Sequence, residues 1–369
     1  MKVIMTGGGT GGHIYPAIAI ADKIKERYPD AEIRFVGTEK GLESRLVPEN
    51  GYPIDYITVA GFNRKNLLKN FAVLKKLHEG NKQSKKIMKE FQPDIVIGTG
   101  GYVSGPVVRA AQKSGVKTYV HEQNAFPGVT NKMLEAGAEH VFLGFAEAKE
   151  YFKKPENHIV TGNPVRKAFF EADTAASREK LGFAKDDFVL LVFGGSQGAG
   201  RINKAMMSVI ETLNGTEGVH VCMATGKRYY EAIMQELKDE RGIDLADNIH
   251  ILEYISNMDE YLSAADLVVS RSGALTVAEV TVCGKPAVFI PFPHATGNHQ
   301  YFNAKAVADH GGAIIIEEDD LTDERLVAEI LKLKNDSSKL KAMGEKSREC
   351  ASVDAVDIIC NNLTVPSAE

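Results

Sequence analysis

Residues 270–300 contain the side chains whose types and spacing most clearly suit chemistry. The apolar run at 267–269 predicts a buried strand before them, and Ser272 and Gly273 predict a turn with a capping hydroxyl. A helix is expected over 274–283, because a glycine and a proline follow it. This β-α-β unit places a helix N-terminus at the carboxyl end of a strand, where open α/β sheets bind ligands.

Glu279 lies seven positions after Ser272, so both side chains share one face of that helix. The N–H groups that begin a helix attract an anion such as a phosphate, by about 0.3–2 kcal/mol. A ribose diol lies one sugar-length beyond a phosphate, and it would offer two O–H donors to a carboxylate. The pattern predicts a nucleoside diphosphate whose ribose lies on Glu279. A capped helix with a solvated glutamate is the alternative.

Three glycine-rich turns also follow apolar runs that predict strands, and they lie at 6–13, 98–106 and 194–200. Helices are expected after them, the first from about Tyr15 to Arg27 and the third from about Arg201. The repetition of strand, glycine turn and helix predicts two similar, doubly wound α/β domains with turns at corresponding sheet edges.

Gly7, Gly9 and Gly12 satisfy the pattern G-x-G-x-x-G of dinucleotide-binding turns. That pattern also requires an acidic residue about 20 positions later, for the ribose of the dinucleotide. The nearest candidate at a strand end is Glu39, which lies 27 positions after Gly12, so the match is loose. A nicotinamide-dependent oxidoreductase therefore stays open as an alternative.

The boundary between domains is expected near Pro164, which follows the last strand predicted in the first half and discourages helix before it. We expect a first domain at 1–163 and a second at 164–344, with a helix at about 345–363 that packs back on the first. Because the glycine turns are expected to face one gap, the ligand is predicted to lie between the domains. Asn124 is expected at its rim, although asparagine before Pro-Gly is also typical of an ordinary turn.

Composition limits the class of protein. The chain has 369 residues, 44% hydrophobic and 25% charged, with a net charge of −5, as in a soluble globular protein of two domains. The negative net charge gives no general signature of nucleic-acid binding. The four cysteines have no spacing that suits zinc, and no apolar run reaches the roughly 18 residues of a membrane span.

The segment at 63–91 is strongly basic, with nine lysines and arginines against two glutamates. Apolar residues interleave with them at helical spacing. Such a surface suits an anionic bilayer, at about 1 kcal/mol for each basic residue close to it. We therefore predict a membrane patch that contains Leu67, Leu68, Lys69, Phe71, Lys75 and Lys76. A solvated basic face over a packed helix is the alternative, and RNA is disfavoured because no aromatic ladder accompanies the lysines.

Six motifs, in one order along nearly the whole chain, strongly resemble the MurG-type N-acetylglucosaminyltransferases. They are GGGTGGHIYPA at 7–17, GTGGYVSGP at 98–106, HEQNAFPG at 121–128, TGNPVR at 161–166, GGSQGA at 194–199 and SRSGALTVAE at 270–279. The resemblance implies a GT-B fold, in which two doubly wound Rossmann-like α/β domains face an interdomain cleft.

The resemblance also implies an inverting transfer of N-acetylglucosamine from UDP-N-acetylglucosamine (UDP-GlcNAc) to the C4 hydroxyl of the muramoyl sugar of lipid I. Lipid I is undecaprenyl-pyrophosphoryl-MurNAc-pentapeptide, and the product is lipid II for peptidoglycan synthesis. Besides the substrates, the expected partners are the anionic surface on the cytoplasmic side of the bacterial cell membrane and wall-synthesis or division proteins, with no nucleic acid. No tightly bound metal or other cofactor is expected, because no D-x-D pair stands where a metal would be needed.

By the same resemblance, His13 is the favoured catalytic residue, and a free histidine is largely a neutral base at cytosolic pH. The residues expected to contact UDP-GlcNAc are Thr10, Gly11, Gly12, Asn124, Arg166, Ser196, Gln197, Ile255, Ala274, Leu275, Thr276, Glu279 and Gln300. The loops expected to hold the acceptor pyrophosphate contain Gly9, Gly100, Gly101, Tyr102 and Ser104.

Other activities share parts of this pattern. A UDP-GlcNAc 2-epimerase would use the same donor without a lipid acceptor, and a related transferase would act on diacylglycerol. A non-enzymatic sensor of sugar nucleotides would bind the donor without releasing UDP.

Overall fold

The computed structural model describes residues 1–60, 70–195 and 198–364, without the side chains of 70–72 and Thr296. The chain divides into two compact units, each with its own parallel sheet. Unit 1 comprises Met1–Arg166 and Ser352–Glu369, and unit 2 comprises Lys167–Ala351.

Unit 1 alternates strands with helices. Its strands are β1 (Lys2–Gly7), β2 (Glu32–Gly37), β3 (Ile54–Tyr56), β4 (Ile95–Gly100), β5 (Lys117–Glu122), β6 (His140–Leu143) and β7 (His158–Val160). Between them lie the helices α1 (Gly11–Arg27), α2 (Glu43–Glu49), α3 (Asn70–Phe91), α4 (Gly101–Lys113) and α5 (Val129–Leu134).

The described strands of unit 1 form one parallel sheet in the order β3-β2-β1-β4-β5-β6-β7. The chain runs outward from β1 in one direction and from β4 in the other, so the carboxyl ends of these two strands form the switch point where such sheets bind ligands. β1 ends at Gly7 and β4 ends at Gly100, and these two residues are paired in the sheet. The first two glycine turns therefore lie side by side.

Unit 2 repeats this plan. Its strands are β8 (Phe188–Phe193), β9 (Val219–Ala224), β10 (Ile249–Leu252), β11 (Leu267–Ser270), β12 (Ala287–Phe289) and β13 (Ala313–Ile315). Its helices are α6 (Ala168–Glu171), α7 (Thr174–Leu181), α8 (Gly200–Leu213), α9 (Tyr230–Gln235), α10 (Met258–Ala264), α11 (Ala274–Val282), α12 (His299–Ala308), α13 (Asp323–Lys334) and α14 (Ser337–Glu349).

The sheet of unit 2 has the order β10-β9-β8-β11-β12-β13, and its described strands are all parallel. Its switch point lies between β8 and β11, where Phe193 is paired with Ser270. The third glycine turn and the start of α11 follow these two strand ends. The predicted doubly wound α/β class is thus confirmed, with glycine turns after β1, β4 and β8 and the start of α11 after β11.

The core of unit 1 lies on both faces of its sheet, as the alternation of side chains along a strand requires. Along β1, Val3 and Met5 pack in one cluster with α1, whereas Ile4 packs in the other cluster with α4. The C-terminal helix α15 (Ala355–Asn361) covers the same face as α1 and contributes Ile359 to that cluster. Each glycine turn is therefore anchored by a strand and a helix that are buried.

Two helices begin earlier than the sequence predicts. α1 starts at Gly11 rather than near Tyr15, and α4 starts at Gly101, inside the second glycine turn. Glycine has low helix propensity, so these positions were predicted as loop. At Gly101 the lack of a side chain allows the start of α4 to pack against the backbone of Gly8, and the early start of α1 places His13 on a helix.

The C-terminal stretch differs as well. The single helix expected at about 345–363 is two helices, and α14 lies in unit 2. Only the second, α15, packs on α1 of unit 1, where Asp357 pairs with Arg27 at 2.5 Å and with Lys23 at 3.2 Å. The chain passes from unit 2 to unit 1 between Ala351 and Ser352, in the non-helical stretch that separates the two helices.

Candidate active site

The first two glycine turns touch each other at positions that leave no room for side chains. Gly101 has a φ of +80°, and a Cβ there would lie 2.3 Å from the carbonyl oxygen of Gly8. A Cβ on Gly7 would lie 2.0 Å from Thr99 Oγ1. Only glycine allows so close an approach of two backbones. The turns expected to hold a pyrophosphate therefore form one continuous edge of unit 1.

His13 lies beside these glycines in the first turn of α1 and is half-buried. Its Nδ1 lies 3.0 Å from the Gly8 carbonyl oxygen and 3.2 Å from Thr10 Oγ1. A carbonyl oxygen can only accept a hydrogen bond, so the neutral imidazole ring must carry its proton on Nδ1. Nε2 then keeps its lone pair. A Cβ at Gly100 would lie 3.1 Å from Nε2, so glycine keeps this edge of the ring clear of a side chain from position 100. This geometry suits a general base.

Glu43 holds the first glycine turn from inside the unit. Its side chain is buried, and its Oε2 accepts the Gly9 N–H at 3.0 Å. Its Oε1 accepts both the N–H of Thr38, at 3.0 Å, and the Thr38 hydroxyl, at 2.7 Å. Three donors around one carboxylate offset the cost of burying it. Glu43 thereby ties the turn before His13 to the end of β2.

Sequence reasoning missed Glu43. An acidic residue in the first turn of a helix is common, so its position at the start of α2 gave no special signal. The signal lay in the glycines around it. A Cβ at Gly8, Gly37 or Gly41 would lie 2.7, 2.5 or 2.2 Å from a Glu43 side-chain atom.

The variant Glu43→Gln is expected to lose about 1–3 kcal/mol of unfolding free energy and at least about tenfold in kcat, because an amide NH₂ would face a backbone donor. Donor affinity should fall by less than kcat, because Glu43 bonds directly to Gly9 and not to the residues at 10–12 that are expected to contact the donor. Chemical denaturation and steady-state kinetics measure both quantities. The matched control is Glu49→Gln, an exposed glutamate at the other end of α2. A less stable Glu43→Gln protein with wild-type kcat would assign Glu43 to stability alone.

A buried polar network connects the second glycine turn with the segments after β5 and β7. Gln123 Nε2 donates to the Thr99 carbonyl at 2.8 Å and to His121 Nδ1 at 2.9 Å. His121 Nε2 then donates to the Gly162 carbonyl at 3.2 Å. Burial lowers the pKa of His121 to about 4, so the ring is neutral at neutral pH. The network is uncharged and links the ends of β4 and β5 to the segment after β7.

Glu122 organises the loop that carries Asn124. Its Oε1 accepts the N–H of Asn124 at 3.0 Å and the Asn124 side-chain amide at 3.1 Å. Its Oε2 accepts the Gly128 N–H at 2.9 Å and the side-chain amide of Asn131 at 2.8 Å. The half-buried Asn124 is thus held at the carboxyl end of β5, next to β4. Glu122 and Asn131 were not among the predicted site residues, because polar residues in a loop are common.

Arg166 lies against α1. Its guanidinium carbon is 4.5 Å from the centre of the Tyr15 ring, two positions after His13. Burial raises the pKa of Asp22 on the same helix, while the hydrogen bond from Tyr52 and the charge of Arg166 oppose that shift. Arg166, which was predicted to contact UDP-GlcNAc, therefore lies against the helix that carries His13.

In unit 2, α11 begins after the N-cap residue Gly273, and no side chain caps it. The predicted Ser272 cap is wrong, because the Ser272 hydroxyl donates to the Gln300 carbonyl at 2.8 Å. The segment that follows β12 packs over the turn and supplies this acceptor. Among the side chains that the structure describes, none accepts from the first N–H groups of α11, at 274–276, and such a helix start suits an anion.

Gln300 is held close to this turn. Its Oε1 accepts the Phe292 N–H at 2.9 Å, which leaves its amide nitrogen as the remaining donor. Arg271, buried directly after β11, supports the same segment by donating to the carbonyls of Ile290 and Pro291, both at 3.0 Å. Sequence reasoning missed Arg271. The sequence feature that could have indicated it is a charged residue placed between an apolar strand and a helix.

The other predicted residues have varied surroundings. Glu279 is half-buried in the second turn of α11, and Ile255 is buried after β10. Tyr102 is exposed, and its ring lies next to Gly9. Ser104 is buried, and its hydroxyl donates to the Gly101 carbonyl at 3.1 Å, so here it supports the turn.

Some predicted residues lie outside the described part of the chain. They are Leu67, Leu68, Lys69, Ser196, Gln197 and the side chain of Phe71. From the predicted membrane patch, Lys75 and Lys76 are described, and both are exposed on α3.

The described residues contain neither a cluster suited to a metal ion nor a helix suited to crossing a membrane. Within 1–60, 70–195 and 198–364, no group of three or more His, Cys, Asp or Glu side chains has a geometry that could hold a metal ion. Among the helices of the same residues, none combines the length and the apolar character that crossing a bilayer requires.

Comparisons with known proteins identify the family. The Glycosyltransferase family 28 N-terminal domain matches residues 3–143, and the C-terminal domain of the same family matches residues 189–359. A relative from Desulforamulus reducens is 46% identical over 362 residues, which are 97% of each chain. It is named UDP-N-acetylglucosamine--N-acetylmuramyl-(pentapeptide) pyrophosphoryl-undecaprenol N-acetylglucosamine transferase.

Solved structures agree with that assignment. The crystal structure of Acinetobacter baumannii MurG matches with a TM-score of 0.73 and 30% identity, over 98% of both chains, and confirms the predicted GT-B fold. A UDP-GlcNAc 2-epimerase from Neisseria meningitidis, bound to UDP-GlcNAc, has a TM-score of 0.67 at 14% identity, so its likeness is one of fold alone. The resemblance drawn from the six motifs is confirmed, and this chain belongs to glycosyltransferase family 28.

Proposed function

We propose that this protein transfers N-acetylglucosamine from UDP-GlcNAc to the C4 hydroxyl of the muramoyl sugar of lipid I, with inversion at the anomeric carbon. The observation that carries the proposal is the 46% identity, over 97% of both chains, with a transferase named for this reaction. The uncapped start of α11 and the position of His13 support it from the structure.

In the proposed step, His13 Nε2 accepts the proton of the C4 hydroxyl. The C4 oxygen attacks the anomeric carbon of N-acetylglucosamine from the side opposite UDP, and a new C–O bond forms. The bond between the anomeric carbon and the β-phosphate oxygen breaks, and UDP leaves with that electron pair. The hydrogen bond from Nδ1 to the Gly8 carbonyl keeps the basic nitrogen at Nε2 and stabilises the imidazolium that forms.

The donor is proposed to contact three features of unit 2. The N–H groups at the start of α11 stabilise the diphosphate, whose charge increases as the sugar leaves. Glu279 accepts hydrogen bonds from the ribose hydroxyls, and the amide nitrogen of Gln300 donates to a sugar hydroxyl. Arg166 and the helix start are proposed to neutralise the diphosphate without a resident metal ion.

We also propose that the protein works as a peripheral protein on the cytoplasmic side of an anionic membrane, where the lipid acceptor lies, and together with wall-synthesis or division proteins. The exposed Leu74, Lys75 and Lys76 on α3 support the membrane contact. Lysine side chains near an anionic surface and an exposed apolar residue together are typical of interfacial helices.

The proposed reaction is tested by measuring UDP release with and without a lipid I analogue. We expect release that depends on the analogue and is unchanged by EDTA. Release with diacylglycerol instead would assign a different acceptor. Conversion of UDP-GlcNAc to its C2 epimer without any acceptor would indicate the epimerase, and tight donor binding with no turnover would indicate a sensor.

A further inference from the structure

The loop that follows β9 lies inside the part of unit 2 where the donor is proposed to bind. On one side the third glycine turn packs against it, since Gly198 has a φ of +72° and a Cβ there would lie 2.1 Å from the Thr225 carbonyl oxygen. On the other side the N–H of Gly226 donates to the Glu253 carbonyl at 3.0 Å, two positions before Ile255. The loop is therefore held between two segments that are expected to contact UDP-GlcNAc.

Hydrogen bonds on both sides fix the backbone of this loop. Thr225 is buried, its N–H donates to the Leu252 carbonyl at 2.9 Å, and its own carbonyl accepts the Asn203 side-chain amide at 2.9 Å. Asn203 lies in the first turn of α8, the helix that follows the third glycine turn. The next charged residues of the loop, Lys227 and Arg228, are exposed. The same contacts that shape the proposed donor site thus set where these two residues lie.

The charges of Lys227 and Arg228 are not neutralised by the protein. Among the ion pairs between described residues, none includes either side chain, and the exposed Glu253 beside the loop pairs with neither. By contrast Lys305, which is exposed on α12, pairs with Asp309 at 2.7 Å. Two adjacent cations repel each other, and an anion beside them would relieve that repulsion.

Arg228 is also held by an aromatic ring. Its guanidinium carbon lies 5.5 Å from the centre of the Tyr229 ring. That ring lies beside the start of α8, because a Cβ at Gly200 would be 3.3 Å from one of its atoms. A guanidinium on an aromatic face keeps the N–H groups along its edge, and these match the oxygens of a phosphate.

We propose that Lys227 and Arg228 bind the diphosphate of UDP-GlcNAc. The residues of unit 2 that are predicted to contact the donor include one carboxylate, Glu279, and no lysine or arginine. The diphosphate is negatively charged on both phosphates, and its charge increases as the bond to the sugar breaks. Cations on a fixed loop beside it would stabilise both the bound donor and the leaving UDP. The inference rests on the proposed function and adds two phosphate-binding residues to the same site.

The test compares two double variants that remove equal charge from unit 2. Lys227→Ala with Arg228→Ala alters the loop, and Lys238→Ala with Lys341→Ala removes two exposed lysines elsewhere. Calorimetry measures the Kd of UDP directly and that of uridine by competition with UDP. We expect the loop variant to bind UDP about tenfold more weakly and uridine within about twofold of the wild type, because only UDP carries phosphates. The control variant should bind both ligands normally, and Lys227→Arg with Arg228→Lys should retain most of the affinity for UDP.

The outcomes separate the two residues from the proposed function. Equal weakening of UDP and uridine in the loop variant would mean that the loop only supports its neighbours, and it would overturn the phosphate contact alone. Unchanged UDP affinity with a raised KM for the lipid I analogue would assign the two cations to the acceptor and reject their donor role. Both results leave the transferase assignment intact. Failure of the wild type to bind UDP would overturn the proposed function and this inference with it.

Discussion

Replacement of His13 by alanine is expected to lower kcat for sugar transfer by about 10²- to 10⁴-fold, the usual contribution of a general base. The Kd for UDP-GlcNAc should stay near the wild-type value, because the proposed role of the ring is to accept the proton of the acceptor. The pH–rate profile gives a second measurement. Its acidic limb should disappear in the variant if His13 is the group that must be unprotonated.

The control for this variant is His310→Ala. His310 is exposed, and its Nδ1 lies 2.8 Å from the Ala306 carbonyl, so it makes the same kind of contact in an unrelated place. Its kcat should be unchanged. Added imidazole should restore part of the turnover of His13→Ala, because it can replace the missing base in the space that the side chain leaves. Unchanged kcat in His13→Ala would reject the base assignment, and a large rise in donor Kd would make His13 a donor-binding residue.

Replacement of Glu279 by glutamine is expected to weaken UDP binding by about 10- to 100-fold, because a hydrogen bond to a charged group is worth about 1.5–3 kcal/mol. The carboxylate lies in the second turn of α11, beyond the N–H groups proposed for the diphosphate. Calorimetric titration with UDP measures the change. The exposed Glu324 on α13 supplies the control Glu324→Gln, which should bind UDP normally.

The ligand itself provides the stricter test of Glu279. A UDP analogue that lacks both ribose hydroxyls should bind the wild type about as weakly as UDP binds Glu279→Gln. The variant should then lose little further affinity for the analogue, since carboxylate and diol form one interaction. If Glu279→Gln weakens UDP and the analogue equally, the carboxylate does not contact the ribose, and the donor assignment in unit 2 fails with it.

Much of the fold could be predicted because its signals are local. Short apolar runs followed by glycine turns at 6–13, 98–106 and 194–200 marked the strands and the edge of each sheet where ligands bind. The helix starts were misplaced because glycines at 11 and 101 are poor helix formers in isolation. Gly101 begins its helix against the backbone of Gly8, which only glycine can approach so closely.

The sequence by itself determined the family, the two doubly wound sheets and the segments that carry His13 and Glu279, because these depend on motifs and on the period of apolar residues. The tertiary structure alone decided which polar groups meet. Glu43 reaches the Gly9 N–H across 34 positions, and the Ser272 hydroxyl reaches the Gln300 carbonyl across 28 rather than capping its own helix. The physical reason is that a buried donor or acceptor bonds to whichever partner packing brings within about 3 Å, and periodicity indicates the face of an element without indicating that partner.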